Sequence, residues 1–292
     1  MRLSRYGCQE PQEARDVYSQ IALWKEHFLK ADEAVSLTVL VSETDGVRTI
    51  TLNRPERRNA LTPEMQTELT AALEAAAASP TTRVVVLTGA GSAFCGGLDL
   101  SVLQAMAGKS SAEMEADAHR LSVMFRTLYE LPVPTIAAVN GHAVAGGTGL
   151  AMFTDFTIAV SEAKFGFTEC KIGFVPALVS AYLRLQVGDK LARDLLLTGR
   201  LFSAEEAKAM GLVNEVVAPD ALAERIQALI TTLLANSPSS LRATKALLTK
   251  QNGAWLHNAL QYAMEANAQA RQTEDFREGV AAFLEKRKPN WR

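Results

Sequence analysis

Apolar residues along the chain fall first into a helical spacing, then into short alternating or continuous runs, and finally back into helical spacing. Val17, Ile21, Trp24 and Phe28 recur at i, i+4, i+7 and i+11, one face of a helix within an N-terminal extension over residues 1–35. Such a helix either docks on the body, as tied-down termini do, or serves as a lid or partner surface. From Ser36 onward, SLTVLV and RTITL flank Asp45-Gly46, a strong hairpin signal. Thr62-Pro63 then offers an N-cap followed by an N1 proline, and Met65, Leu69, Leu73 and Ala76 continue as a helical stripe. VVVLT (84–88), TIAAV (135–139) and FTIAV (156–160) read as buried strands. Between the first two lies a helix marked by Met114, Ala118, Leu121, Phe125 and Leu128; between the last two, a glycine-rich segment opens another helix.

Strands alternating with helices predict an α/β fold with a mostly parallel sheet covered by helices. The character changes after Ser203, which forms a capping box with Glu206 in a helix that Gly211 ends. Beyond the β-like VNEVV, the pattern predicts helices over 220–235, 238–250, 253–271 and 273–285. The expected division is an α/β core over 36–217 and a helical region over 218–292.

Composition narrows the function without naming it. The 292 residues are 48% hydrophobic and 21% charged, ordinary for a globular protein. Thirty Lys and Arg against 32 Asp and Glu give a net charge of −2, which offers no support for a nucleic-acid or anionic-membrane partner. Cys8, Cys95 and Cys170 are odd in number and widely spaced, so neither a disulfide framework nor a metal site is expected. The opening residues lack a secretory apolar stretch, and no run approaches the ~18 apolar residues that span a bilayer. A soluble, cytoplasmic protein is the expectation.

The chemistry concentrates where strands run into glycine, at FCGGLDL (94–100) and GHAVAGGTGLA (141–151). Glycine at a strand end lets the chain turn sharply and exposes main-chain N–H groups; in the second segment those N–H groups open a helix. Neither segment is GxGxxG, and GxxxxGK[ST] is absent, so nucleotide-binding loops are not indicated. One such segment alone is equally well explained by tight packing. Two together suggest paired N–H donors aimed at one carbonyl oxygen, an oxyanion hole in which each donor is worth ~2.7–4 kcal/mol.

ITLNRPERRNAL (50–61), FCGGLDL, PTIAAVNGHAVAGGTGLAMFTDFTIA and FGFTECKIGFVP (165–176) resemble, in order and spacing, the crotonase superfamily of enoyl-CoA hydratases and isomerases. AEEAKAMGLVNEVV, NSPSSLRATKALL and EDFREGVAAFLEKRKP extend the resemblance to about residue 290. It implies a ββα spiral core with a helical C-terminal trimerisation region, and a homotrimer or homohexamer. It also implies an acyl-CoA thioester as substrate, with no cofactor beyond the CoA that the substrate carries. By position, the N–H groups of Leu98 and Gly146 would hold the thioester oxygen, with Gly96, Gly97, Asp99, Leu100, Gly147 and Gly149 around them. Arg57, Arg58 and Ala60 would border the CoA nucleotide. Lys286 would either reach a CoA phosphate, commonly from a neighbouring subunit, or lie on a solvated helix face. His142 falls in a stretch that is structural in this family, and Cys95 and Cys170 read as packing residues.

Hydratases of this superfamily typically use two glutamates. The first position is Gly149 here; the second is Glu169, which is either a surface strand residue or the proton carrier. A third acid found in dienoyl isomerases is replaced by Ala177. A carboxylate facing an apolar acyl pocket has its pKa raised, which suits proton transfer. Two reactions remain open: hydration of an enoyl-CoA, often branched, in the manner of bacterial methylglutaconyl-CoA hydratases that also carry glycine at the first position, or Δ3,Δ2-enoyl-CoA isomerisation by Glu169 alone. A non-catalytic CoA- or RNA-binding homologue is the alternative from another class.

Overall fold

A computed structural model describes residues 37–106 and 109–291, so the helix expected near Val17–Phe28 lies outside the described residues. Strands β1 (Val39–Thr44) and β2 (Val47–Leu52) form the expected antiparallel hairpin. Asp45 (φ 50°) and Gly46 (φ 81°) both adopt the left-handed backbone that a two-residue I′ turn demands. Parallel to β2 run β3 (Val84–Gly89), then β5 (Thr135–Val139), β7 (Phe156–Val160) and β10 (Glu215–Val217), in spatial order β1-β2-β3-β5-β7-β10. Every residue of β3 and β5 is buried, which is why both read as unbroken apolar runs.

A second, four-stranded sheet was not legible in the sequence. It consists of β4 (Ala93–Cys95), β6 (His142–Val144), β8 (Lys164–Gly166) and β9 (Leu201–Ser203), in that order. Three residues are too few to display a period of two. This sheet nevertheless organises the site, because β4 and β6 are parallel neighbours. The two glycine segments follow β4 and β6 directly, and so leave the sheet side by side from the same end.

Helix α1 (Pro63–Ala78) begins as its sequence predicts, with Thr62 Oγ1 accepting the Met65 N–H at 3.3 Å. After α2 (Leu100–Met106), helix α3 (Ser111–Tyr129) is started by a capping box between Ser110 and Glu113. The short α4 (Gly146–Met152) is buried throughout. The long α5 (Ala177–Thr198), which the hydrophobic pattern left unassigned, is broken at Gly188. Helix α6 (Ala204–Ala209) carries the predicted Ser203–Glu206 capping box, and α7 (Leu222–Ala235) packs on β3, β5 and β7.

The helices expected over 238–250 and 253–271 are one element, α8 (Pro238–Ala270). Gly253 lies inside it, and a glycine there costs only ~1 kcal/mol relative to alanine. Burial of Leu256, Leu260 and Ala263 outweighs that cost. Buried Lys245 on α8 locks the helix to the sheet: its Nζ donates to the Val133 carbonyl at 3.0 Å and to Asp155 Oδ2 at 2.6 Å. Asp155 in turn accepts the Thr135 N–H at 2.8 Å. The last helix, α9 (Glu274–Leu284), completes a small apolar cluster of Leu103, Phe174, Phe276 and Val280, separate from the main core. Among the described residues no helix is long and apolar enough to cross a membrane.

Candidate active site

The glycine segments meet where β4 and β6 end. Gly97 has φ 86°, and a Cβ there would stand 2.9 Å from both Ala145 Cβ and the Val144 carbonyl oxygen, so only glycine fits. The same point is 3.4 Å from the Gly146 nitrogen, which places the segment bearing Leu98 directly against the start of α4. Leu98 forms a parallel bridge with Leu61 in which Leu61 N–H donates to the Gly97 carbonyl (2.7 Å) and Asp99 N–H donates to the Leu61 carbonyl (3.0 Å). That pattern turns the Leu98 N–H to the side away from Leu61. Gly146 is the first residue of α4, so its N–H has no partner within the helix. Ala145 before it adopts φ 53°, ψ −124°, a sparsely populated backbone region for an L-residue, and this sets the direction of the Gly146 N–H.

Two side chains that the sequence reading did not single out, Asn59 and Arg54, hold this arrangement together with Asp99. Asn59 is fully buried; its Nδ2 donates to the carbonyls of Ala90, Ala93 and Phe94, and its Oδ1 accepts the Arg54 N–H. Arg58 (φ 53°) and Asn59 (φ 54°) are consecutive left-handed residues, and an asparagine in a polar turn is a readable signal for that conformation. Arg54 ties the Ala60 carbonyl (2.7 Å) to Asp99 Oδ2 (3.1 Å). Burial works against the Asp99 charge, yet Ser101 and Arg54 hold its carboxyl below the usual range. With its oxygens engaged by Ser101 and Arg54, Asp99 fixes the Leu98 segment in place.

Glu169 does not lie on a surface strand. It opens a 3-10 turn (Glu169–Ile172) after β8 in which it is the buried residue, and its Oε2 has no hydrogen-bond partner among the described residues. Burial pushes its carboxyl up to about 7, against a small opposing effect of its own backbone N–H. The turn is closed by α9 at backbone distance: a Cβ on Gly173 would fall 2.2 Å from the Asp275 carbonyl oxygen, and one on Gly279 would fall 2.3 Å from the Ile172 carbonyl. Phe174 N–H donates to the Glu169 carbonyl at 3.0 Å, and the Phe174 ring packs on Phe276 with centroids 5.2 Å apart. Leu98 and Leu100 border the same apolar cluster, which brings the Glu169 turn and the Leu98 segment onto one body.

The Gly149 position is filled. A Cβ there would stand 2.8 Å from Val179 Cγ1 and 3.4 Å from both Phe125 Cζ and Phe153 Cε2. The first glutamate of the two-acid pattern is therefore replaced by apolar packing rather than by a polar substitute. Gly147 serves close packing as well, facing the Cys95 carbonyl oxygen at 2.2 Å from its ideal Cβ.

The remaining residues sort simply. Arg57 and Arg58 are exposed on the turn before Ala60, and the Gly96 N–H donates to the Arg58 carbonyl at 2.8 Å, joining that turn to the first glycine segment. Lys286 lies beyond the end of α9 in left-handed backbone (φ 56°), exposed, with no ion pair among the described residues. His142 is exposed on β6 and accepts the Lys164 N–H at Nδ1. Cys95 is buried, with its thiol pushed up to about 12 by burial, an inert packing group. Burial, and then the nearby Glu169, raise the Cys170 thiol too.

The family model for enoyl-CoA hydratase/isomerase matches residues 42–292. A putative enoyl-CoA hydratase of Thermus thermophilus is 47% identical over 249 residues, covering 85% of this chain and 98% of the relative. A probable enoyl-CoA hydratase of Mycobacterium bovis is 38% identical over 259 residues, 87% of this chain and 97% of its own length. The crystal structure of an enoyl-CoA hydratase from Mycobacterium avium subsp. paratuberculosis is similar with a TM-score of 0.79 at 29% identity, over 87% of this chain and 98% of that one. Matched from residue 42 onward, and by relatives along nearly their whole lengths, the chain belongs to the enoyl-CoA hydratase/isomerase family of the crotonase superfamily.

Proposed function

We propose that the protein is an enoyl-CoA hydratase in which Glu169 is the sole proton carrier. The observation that carries this reading is a buried carboxyl, raised to about 7, with an oxygen that has no hydrogen-bond partner among the described residues, on a turn that shares an apolar cluster with the Leu98 segment. The thioester oxygen accepts from Leu98 and Gly146, so negative charge gathering there as water adds to C3 meets donors already in place. The Glu169 carboxylate takes a proton from that water as its oxygen bonds to C3. The resulting carboxyl then delivers the proton to C2. The CoA arrives as part of the substrate, its nucleotide lying against Arg57, Arg58 and Ala60 and its phosphates within reach of Lys286. No separate cofactor or metal enters. The pattern GGTGLA with TECKIGFVPALVSAYL extends the reading to branched enoyl groups.

The filled Gly149 position favours a second reading, Δ3,Δ2-enoyl-CoA isomerisation, because no second acid is available there to orient water. Purified protein offered crotonyl-CoA, 3-methylglutaconyl-CoA and a 3-enoyl-CoA separates the two. Loss of the conjugated-thioester absorbance reports hydration and its gain reports isomerisation; no change with any of them defeats both. Leu247, Leu248, Tyr262 and Phe283, all exposed on the C-terminal helices, support assembly of residues 218–292 into a trimer or a pair of trimers, which light scattering measures directly.

A further inference from the structure

The loop over 54–61 and the glycine segment over 94–99 are laced together residue by residue. The Asn59 amide reaches the carbonyls of Ala93 (2.8 Å) and Phe94 (3.2 Å), and the Gly96 N–H donates to the Arg58 carbonyl at 2.8 Å. The Leu61 N–H donates to the Gly97 carbonyl at 2.7 Å, and the Asp99 N–H returns to the Leu61 carbonyl at 3.0 Å. Ala60, between these rungs, is reached by a side chain instead. Arg54 Nη1 donates both to the Ala60 carbonyl (2.7 Å) and to Asp99 Oδ2 (3.1 Å). One guanidinium nitrogen therefore fastens the loop to the residue that follows Leu98. The Arg54 and Asp99 side chains are only 19% and 11% exposed, so salt screens this ion pair less than it would a surface pair.

The outer edge of the same loop carries two further cations. Arg57 and Arg58 are exposed, and their side chains make no ion pair among the described residues. Arg58 and Asn59 stand in left-handed backbone, at φ 53° and 54°, which is unfavourable for residues other than glycine. Two adjacent guanidinium groups suit the phosphates of a nucleotide. A nucleotide held there bears on the loop that carries the Arg58 and Ala60 carbonyls. Through Gly96, Gly97 and Asp99, that loop sets where the Leu98 N–H lies. Binding energy gained far from the reacting atoms accelerates a reaction when it aligns donors at those atoms.

We infer that Arg54 is a positioning residue that couples the nucleotide end of a CoA thioester to the oxyanion donor of Leu98, so that an occupied Arg57–Arg58 turn makes a stronger hole. This rests on the proposed placement of the CoA nucleotide and of the thioester oxygen, and the test reads the hole without turnover. Acetoacetyl-CoA and acetoacetyl-pantetheine present one acyl group with and without the nucleotide. Their enolates place negative charge on the thioester oxygen and absorb in the near ultraviolet. In wild-type complexes extrapolated to saturation at one pH, the ratio of enolate to keto form is roughly tenfold higher for the CoA ester, a part of what losing one donor outright costs. Adding 3′-phospho-ADP, the missing nucleotide, to the pantetheine complex recovers part of that gain. Arg54→Met brings the two esters together and cancels the recovery, whereas Arg54→Lys retains part of both. A purely structural role lowers both ratios and leaves their quotient unchanged, which overturns the inference, as do equal ratios in the wild type. If Arg54→Met does not fold, a nucleotide without effect on the wild type, or an unchanged quotient in Arg54→Lys, overturns it instead. A raised quotient without hydration of any conjugated thioester leaves the coupling standing and removes the hydratase reading. If neither ester is more enolised when bound than in solution, the oxyanion hole falls and the inference with it.

Discussion

Two buried charges, at Lys245 and at Glu169, sit in opposite surroundings. The Lys245 ammonium has a carbonyl, a hydroxyl and the Asp155 carboxylate around it, and although burial pulls its pKa down, Asp155 opposes that. Glu169 is equally buried, yet one of its oxygens has no hydrogen-bond partner among the described residues. The first charge is a fastening between helix α8 and the sheet. The second is maintained at a cost to stability, which is the mark of a group kept for reaction. Burial alone does not distinguish the two roles; pairing does.

The division is broken or sharpened by substitution. Glu169→Gln removes the proton carrier while keeping the shape, and the turnover number in the conjugated-thioester assay falls by roughly 10²–10⁴-fold. Its melting temperature stays level or rises. Lys245→Met does the reverse. Removing one partner of a buried pair costs roughly 3–5 kcal/mol, and because the Asp155 side chain is 31% exposed the loss in urea melts falls at the lower end. Turnover per folded molecule is retained. If Lys245→Met abolished turnover with the fold intact, the separation of fastening from chemistry would be wrong.

The pH dependence follows from the same contrast. The folded chain holds the Glu169 carboxyl near 7 against an ordinary 4.5, so the folded state keeps its proton where the unfolded state has released it. The corresponding stability is fully present below about pH 4.5 and is lost as pH rises through about 7, a change on the order of 3 kcal/mol. Urea melts of the wild type relative to Glu169→Gln should show that loss across the same window. Because the reaction starts from the carboxylate, kcat/KM rises with pH through about 7. A flat profile there would remove Glu169 as the base.

The smallest effect concerns the position without an acid. Gly149→Glu forces a Cβ to within 2.8 Å of Val179 Cγ1, an overpacking that costs roughly 1–3 kcal/mol and gains no hydration. Combined with Val179→Ala, the cost shrinks and the ratio of hydration to isomerisation rises. An unchanged ratio in the folded double variant would show that a second acid at this position has no part in choosing the reaction.

Much of this was legible in the chain itself, for identifiable reasons. The main-sheet strands are continuous apolar runs because both faces are covered, and the Thr62 and Ser203 caps are local in sequence. Glu169 and the two glycine segments were recognisable as motifs. What escaped depends on contacts between distant residues. The three-residue strands of the small sheet have no pattern of their own, and only pairing with one another defines them. Arg271 meets Asp117 across 154 positions, so nothing near either residue announces the pair. Gly253 looked like a helix boundary because its local preference was weighed without the burial that overrides it.

The backbone contacts of α9 at Gly173 and Gly279 have a consequence for how the protein is made. The acid is encoded at residue 169, but the helix packed against its turn is encoded more than a hundred positions later. A chain translated only as far as residue 270 has the acid and the glycine segments, yet lacks the backbone that meets Gly173 and Ile172. The turn that bears the acid is therefore completed only by the last part of the chain to be made.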